Sequence, residues 1–201
     1  MVLILLLGVW LVGMPEAQAA TRGIAGMAAN GVAGTVALLV AYALQLRDFR
    51  AFGFRATSAR WPWVGAALGV VAVGLSFVIG HVYFSFITEP NTQGDFQAAA
   101  KAGALSLLVL VVSGAILTPL GEEFVFRGVF ANGLNRYGWW PGMVGSAIIF
   151  GAVHGPSVIF FNAVTAGMLT GILMRKTGSV WPGAVVHVVY NGIWLIKYRL
   201  A

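Results

Sequence analysis

The sequence predicts an all-α fold, a polytopic transmembrane bundle of about seven helices with a polar site inside it. Three observations predict this. Hydrophobic residues make up 59% of the 201-residue chain and charged residues only 9%, whereas a soluble domain carries about a quarter charged residues. The apolar runs are long and lack strict alternation, which favours helices over a barrel, the two architectures that satisfy every backbone polar group in lipid. A small set of polar residues also recurs at helical spacing inside those runs.

The first apolar run covers 1–13 and is followed by Ala17-Gln18-Ala19-Ala20. A signal peptide would carry a positive residue ahead of its apolar stretch; none is present, so a first membrane helix is the preferred reading. A second span at 24–45 is rich in Ala, Val and Leu. Arg47, Arg50, Arg55 and Arg60 then face one acid, Asp48, marking this loop as cytoplasmic by the positive-inside rule. The third span covers 63–87. A polar loop with Glu89, Pro90, Asn91 and Asp95 follows it.

The fourth helix covers 102–134, with Pro119 and Gly121 as candidate kink residues. Arg136 and two tryptophans form an interfacial turn. Pro141 opens a short fifth helix, since proline suits the first helical position, and Gly155-Pro156 ends it. The sixth covers 157–174, closed by Arg175, Lys176 and Gly178, and the seventh runs from 180 to the end. If all spans cross, the loop at 47–60 and the turns at 135–140 and 175–178 share one side, and Lys197 and Arg199 lie on the other; a re-entrant fifth helix would change the parity. Gly167 and Gly171 form a small-xxx-small pair that predicts close helix packing. The chain reads as a single integral membrane domain, 1–201, with its chemistry between about 102 and 199. No internal repeat or linker interrupts it.

The formal charge of +6 would suit nucleic acid, but the bases sit between apolar runs, so membrane anchoring explains them and no nucleic-acid partner is expected. There is no cysteine, which excludes a thiol nucleophile, a disulfide framework and a cysteine-ligated metal.

Of the six acids, Glu122 and Glu123 follow a long apolar run. Ionisable groups inside a membrane are costly and mark function by default. Arg127 lies four residues after Glu123, in the favoured acid-first orientation on one helix face. The i+4 neighbour of Glu122 is Phe126, so one acid is tied to an arginine and the other is left for different work. His154 ends the fifth helix, and His187 and Asn191 share a face of the seventh. Glu122 and His154 each lie 16 residues from Gly138, so an antiparallel hairpin brings both to roughly 24 Å from the turn. His187 and Asn191 reach roughly 15 and 21 Å from the turn near Thr177, so the four can meet in one layer. His81, the third histidine, has no partner among its sequence neighbours and reads as a packing or interface residue.

A carboxylate with a histidine can activate water, and a histidine with an asparagine can donate to an oxyanion. One Glu and two His, here Glu122, His154 and His187, are also a known zinc ligand set with an open position for water. The local His-Glu-x-x-His motif is absent, and metal-activated and carboxylate-activated water both stay open. A serine mechanism is rejected, because Ser146 and His154 lie about 12 Å apart along one helix.

The ordered motifs resemble a known family. Glu122-Glu123-Phe124-Val125-Phe126-Arg127, then Phe150 to His154, then His187 to Asn191 are similar to the three motifs of the CPBP family, the CAAX-processing and bacteriocin-processing (Abi-like) intramembrane proteases. Phe52-Gly53-Phe54-Arg55 ahead of a span has the same look. The resemblance covers 120–195 and implies a membrane endopeptidase acting on a membrane-associated or lipidated protein. It implies that Glu122 and His154 activate water, that Glu123 and Arg127 hold the helix and local field, and that His187 and Asn191 form the oxyanion pocket. Family members are called metalloproteases, while a metal-free glutamate mechanism is also proposed. The expected location is the plasma (inner) membrane of a prokaryote. Two competing readings are a non-proteolytic regulator or immunity protein of the same fold and a proton-coupled transporter. The transporter is disfavoured, because no pair of related halves is visible.

Overall fold

The computed structural model describes residues 10, 11 and 13–200; the expected span at 1–13 lies almost wholly outside them. Seven helices make up the described chain. A 3₁₀ turn at Glu16–Gln18 leads into α1 (Ala19–Ala41), which widens into π turns over Tyr42–Leu46. Then come α2 (Arg60–Phe84), α3 (Gly94–Lys101), α4 (Ala104–Asn135), α5 (Pro141–Ala152), α6 (Val158–Thr177) and α7 (Trp181–Leu200). Four are long and apolar enough to cross a bilayer: α1 with its flanking turns, α2, α4 and α6. This is a multi-pass membrane protein.

The structure refines three sequence expectations. The polar loop after α2 contains a helix, α3, because Ala99 and Ala100 are wholly buried against Leu110, Ala115 and Leu195 and hold the turn in place. At 12 residues α5 is about 18 Å long, too short to span the hydrocarbon core. α7 has the length to cross, but His187, Asn191, Lys197 and Arg199 make it less apolar than the four spanning helices.

The helices pack through small residues, the device that lets backbones approach in a bilayer. Along α1 and α4, which run parallel, a Cβ added to Gly121 would lie 2.2 Å from the Gly31 carbonyl oxygen, and one on Gly34 2.3 Å from that of Gly121. α5 and α6 form an antiparallel hairpin in which the Gly167 and Gly171 pair gives the expected close packing: Gly167 packs on Ala147 and Gly171 on Met143. α7 runs antiparallel to α4 and α6 and lies against α2, where Phe77 packs on Trp194.

One end of the bundle gathers the loop at 47–60 with the turns at 135–140 and 177–181, as expected. Val180 N–H donates to the Gly53 carbonyl, Ser179 Oγ to the Arg55 carbonyl, and Asn132 Nδ2 to the Ala51 carbonyl. Phe54 packs on both Phe124 and Trp181. This basic end carries Arg47, Arg50, Arg55, Arg60, Arg136, Arg175 and Lys176 against Asp48. At the opposite end Arg22 pairs with Asp95, Arg199 Nη1 donates to the Lys101 carbonyl, and Glu89 accepts from Tyr83 Oη and from Val158 N–H. His81 lies exposed near the end of α2, apart from the polar cluster below.

Candidate active site

The polar cluster is built on α4. Pro119 lacks the N–H that a helix needs at its position, and the backbone widens into π turns over Val112–Leu117 and again over Phe124–Ala131. Such bulges free carbonyls and collect at functional sites. The Gly114 carbonyl, five residues before Pro119, takes its hydrogen bond from Asn191 Nδ2 at 2.9 Å. Between the two widened segments stand Glu122 and Glu123.

Glu122 is almost fully buried, with 5% of its surface exposed. Its Oε1 accepts from Asn30 Nδ2 of α1 at 2.6 Å and faces His154 Nε2 at 4.0 Å. Its Oε2 faces His187 Nε2 at 3.4 Å. His154 Nδ1 sits 2.8 Å from the Phe150 carbonyl. A carbonyl only accepts, so Nδ1 carries the proton, and in the neutral ring Nε2 presents a lone pair towards Glu122.

Glu123 and Arg127 are completely buried and pair at 3.2 Å. The guanidinium lies over the Phe150 ring, 4.8 Å from its centroid, a contact worth most where water is absent. Glycines make room for the pair: a Cβ on Gly167 would fall 2.8 Å from Arg127 Nη2, and one on Gly183 3.0 Å from Glu123 Oε2. His187 Nδ1 is 3.4 Å from Glu123 Oε1, so this ring stands between the two carboxylates with one nitrogen towards each. The Arg127 guanidinium offsets one of the two acids in a medium where an unpaired charge is costly. Phe150 sets both histidines, lying edge-on to His154 and His187 with centroids 4.8 and 5.5 Å apart.

The structure therefore brings five of the six sequence-predicted residues, Glu122, Glu123, Arg127, His154 and His187, into direct contact. Asn191 lies in the same cavity wall and is anchored to α4. Sequence reasoning missed Asn30. The available signal was a single carboxamide in the apolar stretch 23–44.

A cavity of about 540 Å³ leads to Glu122, His154 and His187. Met27, Asn162, Tyr190 and Asn191 line its walls, and Glu89 to Gln93 stand at its mouth. Among the described residues no three His, Asp or Glu side chains are grouped as metal ligands. In the residues that the sequence left open as a zinc set, Glu122, His154 and His187, each Glu122 oxygen faces its own histidine.

No solved structure matches the chain. It is similar to an uncharacterized 24.3 kDa protein of Escherichia coli, 27% identical over 144 residues. The alignment covers 67% of this chain and 63% of that relative, less than two thirds of its length. Residues 104–193, which run from the start of α4 into α7 and include all six predicted site residues, match the family described as type II CAAX prenyl endopeptidase Rce1-like. The buried acids and histidines thus all stand within the stretch that matches the Rce1-like CAAX prenyl endopeptidase family model.

Proposed function

We propose that the protein is a membrane endopeptidase that hydrolyses a peptide bond of a membrane-associated or lipidated protein, in the plasma membrane of a prokaryote. The observation that carries this reading is the Glu122 carboxylate, fixed by Asn30 and set opposite His154 in the wall of a cavity of about 540 Å³.

A water at ordinary hydrogen-bond distance, about 2.8 Å from each, bridges Glu122 Oε1 and His154 Nε2 across their 4.0 Å separation. Both atoms accept, so the water gives its two hydrogens to them and turns a lone pair to the substrate carbonyl. As its oxygen bonds the carbonyl carbon, one proton passes to Glu122. When the C–N bond breaks, Glu122 returns that proton to the leaving nitrogen. His187 and the second Nδ2 hydrogen of Asn191, the first being held by Gly114, donate to the oxyanion. Glu123 and Arg127 hold α4 and its field. No step here passes through a metal.

The test is cleavage of a membrane-peptide library by purified protein in liposomes, comparing wild type with Glu122→Gln and Glu122→Ala. Cleavage abolished in both supports the reading; cleavage unchanged in Glu122→Ala overturns it.

A further inference from the structure

Among the described residues, the lining of the cavity that reaches Glu122 extends to the end of the bundle opposite the basic one. Its mouth is made by Glu89, Pro90, Asn91 and Thr92, in the loop after α2, with Phe96 and Gln97 of α3 beside them. Towards the basic end the way is closed. Glu123 and Arg127 fill the layer beneath Glu122 and are wholly buried, and behind them lie Phe52, Ser179 and Val180, also buried. The hydrogen bonds from Val180 and Ser179 to the loop at 47–60 seal this plug.

The closed end is also the strongly basic one. It holds seven of the twelve lysines and arginines with one acid; the mouth end holds Arg22, Lys101, Lys197 and Arg199 with three acids, Glu16, Glu89 and Asp95. Lysines and arginines near the ends of spans settle on the cytoplasmic side. We infer that the plugged end faces the cytoplasm, that the cavity opens to the extracytoplasmic side, and that its substrate is a membrane-anchored polypeptide whose scissile bond is exposed outside the cytoplasm. The substrate part rests on the hydrolytic reading above; the orientation does not. A soluble tail lying in the cytoplasm meets the plug and has no path to Glu122.

The absence of native cysteine makes the test direct, because one introduced cysteine is the only thiol. Thr92→Cys marks the mouth. Ser58→Cys marks the exposed basic end. Gly80→Cys marks the cavity wall, where an added Cβ meets nothing within 4 Å. Each variant is treated in intact spheroplasts with a charged, membrane-impermeant maleimide. Labelling of Thr92→Cys and Gly80→Cys is expected, with labelling of Ser58→Cys lost until the membrane is permeabilised. Labelling of Ser58→Cys alone in intact spheroplasts overturns the orientation. A Gly80→Cys that resists reagent while Thr92→Cys reacts overturns the access route. In right-side-out vesicles, wild type should cleave a peptide added outside; cleavage only in inverted vesicles overturns the substrate side. Loss of cleavage in both vesicle types sinks the hydrolytic reading and leaves the labelling to decide the orientation.

Discussion

Asn30 is the contact that sequence reasoning did not supply, and removing it tests the site from outside residues 104–193. Its Nδ2 donates to Glu122 Oε1 at 2.6 Å across 92 positions of chain. Hydrogen bonds to a charged group contribute about 1.5–3 kcal/mol. Asn30 itself is exposed in the cavity that it lines, so water can replace part of what it gives, and the low end applies. A loss of about 1.5 kcal/mol corresponds to roughly a tenfold fall in rate. Asn30→Ala should lower kcat about tenfold with KM little changed, because Asn30 positions the carboxylate rather than the substrate.

Asn30→Asp is the sharper variant. It keeps the side-chain size but sets a second carboxylate against Glu122. Two like charges about 4 Å apart cost about 1 kcal/mol in water and about 4 at an effective dielectric of 20, so this variant should fall well below Asn30→Ala. The assay is single-turnover cleavage in liposomes, with unfolding temperature in detergent as the control for structure. An Asn30→Ala enzyme within twofold of wild type, in a preparation where Glu122→Gln is inactive, would refute the claim that Asn30 sets the carboxylate.

Three further predictions follow from packing and burial. Gly121→Val places a Cβ 2.2 Å from a backbone oxygen of α1, which no rotamer change relieves; overpacking costs about 1–3 kcal/mol or more, read as a lowered unfolding temperature in detergent. Arg127→Met strands the wholly buried Glu123 at a cost of about 3–5 kcal/mol. Adding Glu123→Met should recover most of it, and a double mutant no more stable than the single would show that the pair is not coupled. Asn191→Leu leaves the Gly114 carbonyl without its donor, costing about 1–3 kcal/mol, and should lower kcat through both the lost oxyanion donor and the altered α4 backbone.

What the sequence made legible, and what it did not, divides along physical lines. Local periodicity placed Glu123 with Arg127 and His187 with Asn191, because contacts within one helix depend only on spacing. Counting from the turn placed Glu122 and His154 at one depth, because an antiparallel hairpin fixes depth by rise per residue. Asn30 escaped because parallel packing of α1 on α4 is set by where Gly31 and Gly34 let the backbones touch, and no turn between them fixes a register. α3 escaped because Asp95, Gln97 and Lys101 read as a polar loop while Ala99 and Ala100 disappear into the core; eight residues give too little period to see. The π turns in α4 were expected only as a kink at Pro119, since periodicity reports helix without reporting which carbonyls are freed.

Those freed carbonyls explain how one helix can serve both as a span and as the platform of the polar cluster. A regular α4 would satisfy every carbonyl internally and offer α7 only side-chain packing. With Pro119 in place, the Gly114 carbonyl must find a donor or remain unpaired in lipid, and Asn191 is that donor. The bond locks α7 in register with α4, and that same register sets His187 between Glu122 and Glu123. The bulge therefore creates a polar demand that only the correct α4–α7 alignment meets. Pro119→Ala tests this chain of cause. If restoring the missing N–H lets α4 satisfy Gly114 internally, Asn191→Leu should cost less in the Pro119→Ala background than in wild type. Equal costs would show that the proline and the asparagine act independently.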